Sequence, residues 1–344
     1  MEYKDYIKQA KKKDRVAQFN LGLCYKDGLG VKQDYNEAAV WYEKAAKQGY
    51  ARAQNNLGVC YYNGEGVKKD LREAVDWYRQ AAQQGLANAQ FNLAECYYKG
   101  EGVKLDYNEA VKWFKYAAEQ GHIKAQYNLG LHYKDNEEDK DEEEAIKWFK
   151  LAAQQEHVEA QNSLGSYFVS IQNYDDAKYW YSCAAKLGNA ESQYGLGLLY
   201  YFGRGVEQDY TEAFHWYKCA AEQGNMDAQF YVGKCYQEGE GVKQDYNQAV
   251  LWFKMSADKG QFGSQNNLGV CYQYGRGVQK SNIVAVKWYK LAAQNGSVRA
   301  CYNLGLCYAY GTGVKKNIDE AKNWYRLAAE KGDEMAKAEL ASLG

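Results

Sequence analysis

The residues of this 344-residue chain best suited to chemistry are nine cysteines and four histidines, which can act as metal ligands, nucleophiles or bases. No two cysteines have C-x-x-C spacing, and the histidines have no serine, cysteine or carboxylate partner at a recurring spacing. Six cysteines occupy one repeated position just before a tyrosine: Cys24, Cys60, Cys96, Cys235, Cys271 and Cys307. We therefore predict a buried structural row of thiols, with no catalytic site, no metal site and no cofactor.

Phosphate binding is a second candidate chemistry, because Gly-x-Gly-Val elements such as Gly64-Glu65-Gly66-Val67 recur along the chain. A dinucleotide-binding loop of this kind follows a strand, whereas each element here follows a segment with helical spacing. The full fingerprint is also absent. We therefore predict that these glycines end helices and bind no phosphate.

Composition limits the partners. The chain carries 43 basic and 44 acidic side chains, and a net charge of −1 gives no positive surplus to hold nucleic acid or an anionic membrane. No apolar run approaches the length of a membrane span, and the first residues, MEYKDYIKQAKKKD, lack the apolar centre of a signal peptide. We expect a soluble, cytoplasmic protein, and the absence of proline fits a nearly all-helical chain.

Internal repeats account for almost the whole sequence. Residues 53–85 match the chain at nine starting points, most of them 36 residues apart: Ala17, Ala53, Ala89, Ala125, Ala160, Ser192, Ala228, Ser264 and Ala300. All nine tryptophans fall on one repeat position: Trp41, Trp77, Trp113, Trp148, Trp180, Trp216, Trp252, Trp288 and Trp324.

Each repeat has the pattern of two helices. Leu57 and Tyr61 lie on one apolar stripe that ends at glycines, and Asp70 is predicted to cap a second helix that carries Trp77. One such pair cannot bury its apolar stripe alone, so neighbouring pairs must stack.

The pattern A-x-x-x-L-G-x-x-Y-x-x-G-x-G-V-x-x-D-x-x-x-A-x-x-W-Y-x-x-A-A-x-x-G resembles the Sel-1-like repeat family, a relative of the tetratricopeptide repeat with a longer loop in each pair. The resemblance covers essentially the whole chain. It implies an all-α fold, a right-handed α-solenoid superhelix of about nine antiparallel helix pairs whose first helices line a concave groove. Family members act as adaptors and scaffolds, so the implied function is non-enzymatic binding of a partner protein or extended peptide in that groove.

The same resemblance informs location and organisation. Extracellular relatives pair two cysteines in each repeat, and their absence here favours a reducing compartment, either the cytoplasm or a host cytosol reached by a bacterial effector. We predict one repeat domain over residues 1–344, with a capping helix at 1–14, nine repeats at 15–333 and a second capping helix at 334–344. The sequence leaves the oligomeric state open, and the two capped ends favour a monomer.

The strongest candidate binding residues are asparagines one position before the repeated leucine: Asn20, Asn56, Asn92, Asn128, Asn267 and Asn303. Asparagine is a poor helix former, so its recurrence within a helix needs a reason. By resemblance to tetratricopeptide proteins, these amides face the concave groove and hold the backbone of an extended peptide. The alternative is that they bond neighbouring repeats and fix only the stacking.

Aromatic side chains should share this face, because rigid rings with a polar tip suit binding surfaces. The candidates are Tyr62, Tyr98, Tyr127, Tyr201, Tyr274 and Tyr310. We expect about half of the aromatic residues on this face to be accessible, with the others packed between repeats.

The repeat breaks twice in mid-chain, with irregular loops near 134–144 and 169–174. Residues 135–144 contain eight acids in place of the glycine turn, which predicts a solvated loop or, alternatively, a docking site for a basic partner on the convex face. An enzyme built on the solenoid and a purely architectural spacer are the remaining alternatives.

Overall fold

The computed structural model describes residues 3–137 and 140–343, which form twenty α-helices and no strand. Contacts divide the chain into two compact units, Met1–Ala160 and Gln161–Gly344, at a point within one helix. The helices of unit 1 are α1 (Tyr3–Ala10), α2 (Arg15–Asp27), α3 (Tyr35–Ala46), α4 (Ala51–Asn63), α5 (Leu71–Gln83), α6 (Ala87–Lys99), α7 (Tyr107–Glu119), α8 (Ile123–Asp135) and α9 (Glu142–Gln154).

The division falls within α10 (Val158–Ser170). The remaining helices of unit 2 are α11 (Tyr174–Lys186), α12 (Ala190–Phe202), α13 (Tyr210–Glu222), α14 (Met226–Glu238), α15 (Tyr246–Ala257), α16 (Phe262–Tyr274), α17 (Asn282–Gln294), α18 (Val298–Tyr310), α19 (Ile318–Glu330) and α20 (Glu334–Ser342). Within each unit successive helices pack on one another in chain order, as in an α-solenoid. The predicted all-α fold of helix pairs with a helix at each end is confirmed.

A glycine in the middle of every first helix except α6, which has Ala94, explains the Leu-Gly pair of the repeat. A Cβ atom added to Gly58 of α4 would lie 2.7 Å from the ring of Tyr78 on α5, and one added to Gly233 of α14 would lie 2.6 Å from the ring of Phe253. These rings are buried at 3% and 0% exposure. The glycine therefore lets the two helices of a pair approach until the ring lies on backbone.

The ends of the helices are fixed by side chains and glycines as the sequence predicts. Asp70 caps α5 by accepting bonds from the backbone N–H groups of Arg72 and Glu73 at 2.9 and 3.2 Å. Gly64 follows α4 with a φ of 82°, and its N–H donates to the carbonyl of Cys60. The predicted cap and the predicted helix end are both confirmed.

A second amide row, which the sequence did not single out, joins the helices within the stack. Gln90 of α6 is 5% exposed, and its Nε2 donates to the carbonyl of Ala82 at the end of α5 at 3.3 Å. Its Oε1 accepts from Nε2 of Gln120, after α7, at 2.7 Å. The same pattern recurs at Gln18, Gln54, Gln126 and Gln193. These buried amides satisfy helix ends and are structural.

The loop after the first helix is irregular in the repeat of residues 123–157, as it is after α10, where three residues without glycine lead to α11. Regular loops place a second glycine against the first residue of the preceding repeat's second helix, and a Cβ on Gly102 would lie 2.1 Å from the carbonyl oxygen of Leu71. After α8, Asn136 caps the helix with φ −83° and ψ 115°, so the chain leaves in an extended conformation. Glu138 and Asp139 of the predicted acidic segment lie outside the described residues.

No helix in the described ranges 3–137 and 140–343 is both long enough and apolar enough to cross a membrane.

Candidate functional site

The six predicted asparagines lie at one structural position, the sixth residue of a first helix. All six are half-buried, so each amide reaches the surface of its helix. Asn92 and Asn303 donate through Nδ2 to the fifth residue of the first helix one repeat earlier, at 3.0 Å to Asn55 and 2.9 Å to Asn266. Asn128 donates to Glu95 of the preceding repeat at 2.9 Å. Three members of the row therefore join neighbouring repeats.

Matching amide clusters occur in the two units. Asn55 accepts from Asn92 and donates to Asn56 at 3.4 Å, and in unit 2 the corresponding bond from Asn266 to Asn267 has the same length. Asn55 and Asn266 are each 8% exposed. A fully buried amide thus orients the half-buried amides on either side of it.

A cavity of ≈ 820 Å³ opens beside the cluster in unit 1. It lies at the N-terminal ends of α6 and α8 and includes the turns at 120–122 and 155–157. Asn55, Asn92 and Phe91 line it together with His122 and His157. A site of this size lined by amides and rings can hold several residues of an extended chain.

No role was predicted for His122 and His157, but the structure places both in this cavity. His122 stacks on Phe91 with ring centroids 4.5 Å apart, and His157 stacks on Tyr127 at 4.6 Å. Their Nδ1 atoms accept from the backbone N–H groups of Ala125 and Ala160, which caps α8 and α10. Both are cap residues that directly precede a first helix, a signal that was visible in the sequence.

Their protonation follows from this position. Burial lowers the pKa of His122, and the charge of Lys124 lowers it further. Burial also lowers the pKa of His157, against the opposing effect of Glu159. Both rings are therefore neutral at pH 7, as the accepting role of Nδ1 requires.

The six predicted tyrosines occupy three different helix positions. Tyr127 is the fifth residue of its helix, half-buried on Phe149 at 5.8 Å. Tyr62, Tyr98 and Tyr201 are twelfth residues, whereas Tyr274 and Tyr310 are thirteenth. The exposed members are Tyr98 at 44%, Tyr274 at 61% and Tyr310 at 71%.

Tyr201 is only 6% exposed, so its ring is not presented to a partner. Its hydroxyl donates to Glu240 at 2.6 Å and accepts from Lys234 at 2.8 Å. Tyr62, half-buried, makes the matching hydrogen bond to Glu101 of the next repeat.

The region around Tyr231 shows why the asparagine row is interrupted in unit 2. Tyr231 takes the sixth position of α14 and stacks on Tyr217 with centroids 4.8 Å apart and 24° between the planes. At Gly195, the sixth residue of α12, a Cβ would lie 2.7 Å from the ring of Tyr181. Tyrosine rings therefore fill space that amides line in unit 1.

The cysteine row is buried among apolar side chains. Burial raises the pKa of Cys60 to about 11 and that of Cys96 to about 12. These thiols are protonated at pH 7 and poorly nucleophilic. Within the described residues, no group of three histidine, cysteine, aspartate or glutamate side chains is placed to hold a metal ion.

Comparisons with known proteins agree with this architecture. Among solved structures, the chain is similar to c5321, a protective antigen present in uropathogenic Escherichia coli strains displaying an SLR fold. That likeness has 34% identity and a TM-score of 0.86, over 100% of this chain and 82% of that chain. A Sel1 repeat protein from Oxalobacter formigenes has 30% identity and a TM-score of 0.44, over 99% of this chain and 90% of that one. The comparison with curated proteins finds no match.

The Sel1 repeat profile matches nine segments, 15–50, 51–86, 87–122, 123–157, 158–189, 190–225, 227–261, 263–297 and 298–333. The resemblance drawn from the repeat pattern is thereby confirmed. Because these segments span nearly the whole sequence, the chain belongs to the Sel1 repeat family.

Proposed function

We propose that this protein is a non-enzymatic scaffold or adaptor that binds an extended segment of a partner protein. The segment lies in the cavity beside Asn92, which is the groove of unit 1. Sel1 repeat proteins generally mediate protein–protein interactions, and the repeat is a non-catalytic scaffold fold. The observation that carries the proposal is the open cavity of ≈ 820 Å³ lined by Asn55, Asn92 and Phe91. The same amide chemistry is predicted at Asn20 and Asn128 in unit 1 and, separately, at Asn267 and Asn303 in unit 2.

Amide chemistry supports peptide recognition. A side-chain amide offers two donors and two acceptor lone pairs, so the bond from Asn92 to Asn55 leaves capacity at Asn92 for a peptide N–H and C=O. That bond also fixes the side-chain rotamer before a partner arrives, which reduces the entropy lost on binding. Every peptide bond presents the same groups, so the recognition is tolerant of partner sequence. Phe91 and His122 supply a stacked apolar wall beside the amides.

The structural alternative has its own support, because the bonds of Asn92, Asn128 and Asn303 all cross between repeats. A binding measurement distinguishes the two roles. Both predict that substitution lowers stability, but only peptide binding predicts that it lowers the affinity for the partner.

Other features of the proposal rest on the sequence. We propose a cytoplasmic location, a single repeat domain over 1–344 and no nucleic-acid partner on the basis of thiol spacing, repeat continuity and balanced charge, and we keep the monomer as a proposal. Turnover that survives stringent purification and is lost with a single substitution would contradict the assignment as a non-enzyme.

The test is affinity capture with wild type and with Asn56, Asn92 and Asn128 changed together to alanine. The control changes Asn267 and Asn303 to alanine, which removes the matching amide bonds in unit 2. We expect a specific protein to be captured by wild type, with affinity lowered at least about ten-fold in the triple variant and less in the control. Equal affinity in a folded triple variant would assign the asparagines to stacking alone.

A further inference from the structure

A second cavity, of ≈ 570 Å³, lies in unit 1 at the other end of the same helices. Tyr98, Tyr107 and Leu131 line it together with Asp135 and Glu137. The rings of Tyr98 and Tyr107 meet edge to face with centroids 5.2 Å apart, and both side chains are exposed, at 44% and 46%. Along α6, Tyr98 is six residues from Asn92 of the groove, which is roughly 9 Å of helix.

The corresponding place in two other repeats shows what it can accept. Tyr107, Tyr174 and Tyr246 are each the first residue of a second helix. At Tyr174 and Tyr246, both in unit 2, the loop of the following repeat places an arginine over the ring. The guanidinium carbon of Arg204 lies 5.8 Å from the ring centroid of Tyr174, and that of Arg276 lies 5.6 Å from the ring centroid of Tyr246.

The same arginines also lie over the aromatic residue that ends the first helix of their own repeat. Arg204 is 5.1 Å from the ring centroid of Phe202, and Arg276 is 5.4 Å from that of Tyr274. A guanidinium held against two rings gains cation–π attraction from each of them. In these two repeats, two aromatic rings thus form a platform for an arginine of the same chain.

At the repeat of residues 123–157 one ring of this arrangement remains, Tyr107, and Tyr98 lies beside it, but the arginine is absent. The residue two places after α8 is Glu137, where the two repeats described above have Arg204 and Arg276 and three further repeats have Glu65, Glu101 and Glu240. Asp135 occupies the position that an aromatic residue holds in the repeats of Arg204 and Arg276. Asn136 leaves α8 in an extended conformation, in place of the left-handed glycine that follows the regular first helices, and Glu137 comes next. The cavity therefore combines exposed tyrosine rings with two carboxylates.

We propose that this cavity binds an arginine side chain from a basic segment of a partner protein. The guanidinium stacks on Tyr107 as Arg276 stacks on Tyr246, and Asp135 and Glu137 accept its N–H groups. Lysine fits less well, because its ammonium lacks the flat face and the forked donors. The site shares no residue with the asparagine groove, so either proposal can fail without the other.

The test measures fluorescence anisotropy with a labelled peptide of three arginines separated by Gly-Ser. Matched peptides carry lysine or the neutral isostere citrulline in place of arginine. We expect saturable binding of the arginine peptide, weaker binding of the lysine peptide and loss of binding with citrulline. No binding of the arginine peptide at concentrations on the order of 1 mM would overturn the proposal.

Two double variants separate the cavity from general acidity. Tyr98→Leu with Tyr107→Leu keeps every charge and should weaken the arginine peptide about ten-fold. Glu142→Gln with Glu143→Gln removes two exposed acids outside the cavity and should weaken it less than about three-fold. Equal weakening by the two pairs, or no effect of the tyrosine pair, would reduce the site to a diffuse acidic surface.

A third variant tests the cavity by filling it from within. Glu137→Arg introduces the residue type of Arg204 and Arg276 and should block the peptide while leaving the urea midpoint unchanged or raised. The triple asparagine variant should bind the peptide like wild type. Undiminished binding to Glu137→Arg would place the peptide elsewhere and contradict the proposal.

Discussion

Asn92 in the groove of unit 1 and Tyr231 in the tyrosine cluster of unit 2 (Tyr201, Tyr217 and Tyr231) both occupy the sixth position of a first helix. In unit 1, Asn92 and Asn55 line an open cavity. In unit 2, Tyr231 stands where an asparagine would and stacks on Tyr217, with Tyr201 5.6 Å away. The residue at this position contacts the neighbouring repeat in both cases, but the space beside it is open at Asn92 and filled by rings at Tyr231.

Both regions keep the same helix pair beneath this variation. Gly130 in unit 1 and Gly233 in unit 2 each hold a ring of the second helix directly against backbone. The glycine–ring contact stays the same while the sixth residue varies. The residues exposed beside the helices can therefore change without a change in how the helices of a pair pack.

The largest effect is expected from replacing one ring of the tyrosine cluster by an asparagine. Tyr231→Asn removes a half-buried ring that stacks on Tyr217. We expect a loss of about 2–4 kcal/mol in the free energy of unfolding, measured in urea. An Asn92→Ala variant should lose less of this free energy than the Tyr231→Asn variant does. A Tyr231→Asn protein as stable as wild type would contradict the comparison.

A smaller effect tests the shared framework. Gly130→Val and Gly233→Val each add a Cβ that would lie 2.5 and 2.6 Å from the rings of Phe149 and Phe253. Each should lower the free energy of unfolding by about 1–3 kcal/mol, because the ring cannot move out of a packed core. Ala94→Gly is the control, since the chain already has an alanine at this position of α6. Strongly unequal losses for the two valines would show that the helix pairs of the two regions differ.

The smallest effect concerns pH and is confined to unit 1. The lowered pKa values of His122 and His157 mean that their contribution to stability is complete above 6.5 and is lost as the pH falls from there through the folded pKa. Protonation of Nδ1 also removes a helix cap, worth roughly 1 kcal/mol. His122→Asn with His157→Asn should abolish this loss between pH 7.5 and 5.5, because Asn189 and Asn225 cap α12 and α14 with the same geometry.

In that experiment the urea midpoint is followed at both pH values, with wild type as the control. The same pH dependence in the double variant would assign the effect to other groups.

The repeat, the caps and the asparagine row could be predicted because they depend on local spacing. Asp70 and Gly64 act within their own helix ends, and the sixth position of each first helix follows from the repeated leucine. The tyrosines were harder. Tyr62 and Tyr274 differ by one position, which turns the side chain by about 100° around the helix, and a stricter alignment of the repeats would have separated them.

Other features depend on residues from different repeats and could not be read from local spacing. The bond from Asn92 to Asn55 joins residues 37 positions apart, and Tyr201 is buried partly because Tyr231 of the next repeat packs beside it. The stacking of His122 on Phe91 likewise needs the three-dimensional register of two repeats.

The central claim is that the open groove of unit 1 holds the partner, and Asn92→Tyr tests it most directly. The substitution copies the residue that unit 2 carries at Tyr231 and should occupy the cavity beside Phe91. The affinity for the captured partner is measured by titration calorimetry, with the urea midpoint as the check on folding. We predict affinity at least about ten-fold weaker in a variant that is still folded by its urea transition. Unchanged affinity in the folded variant would contradict the account.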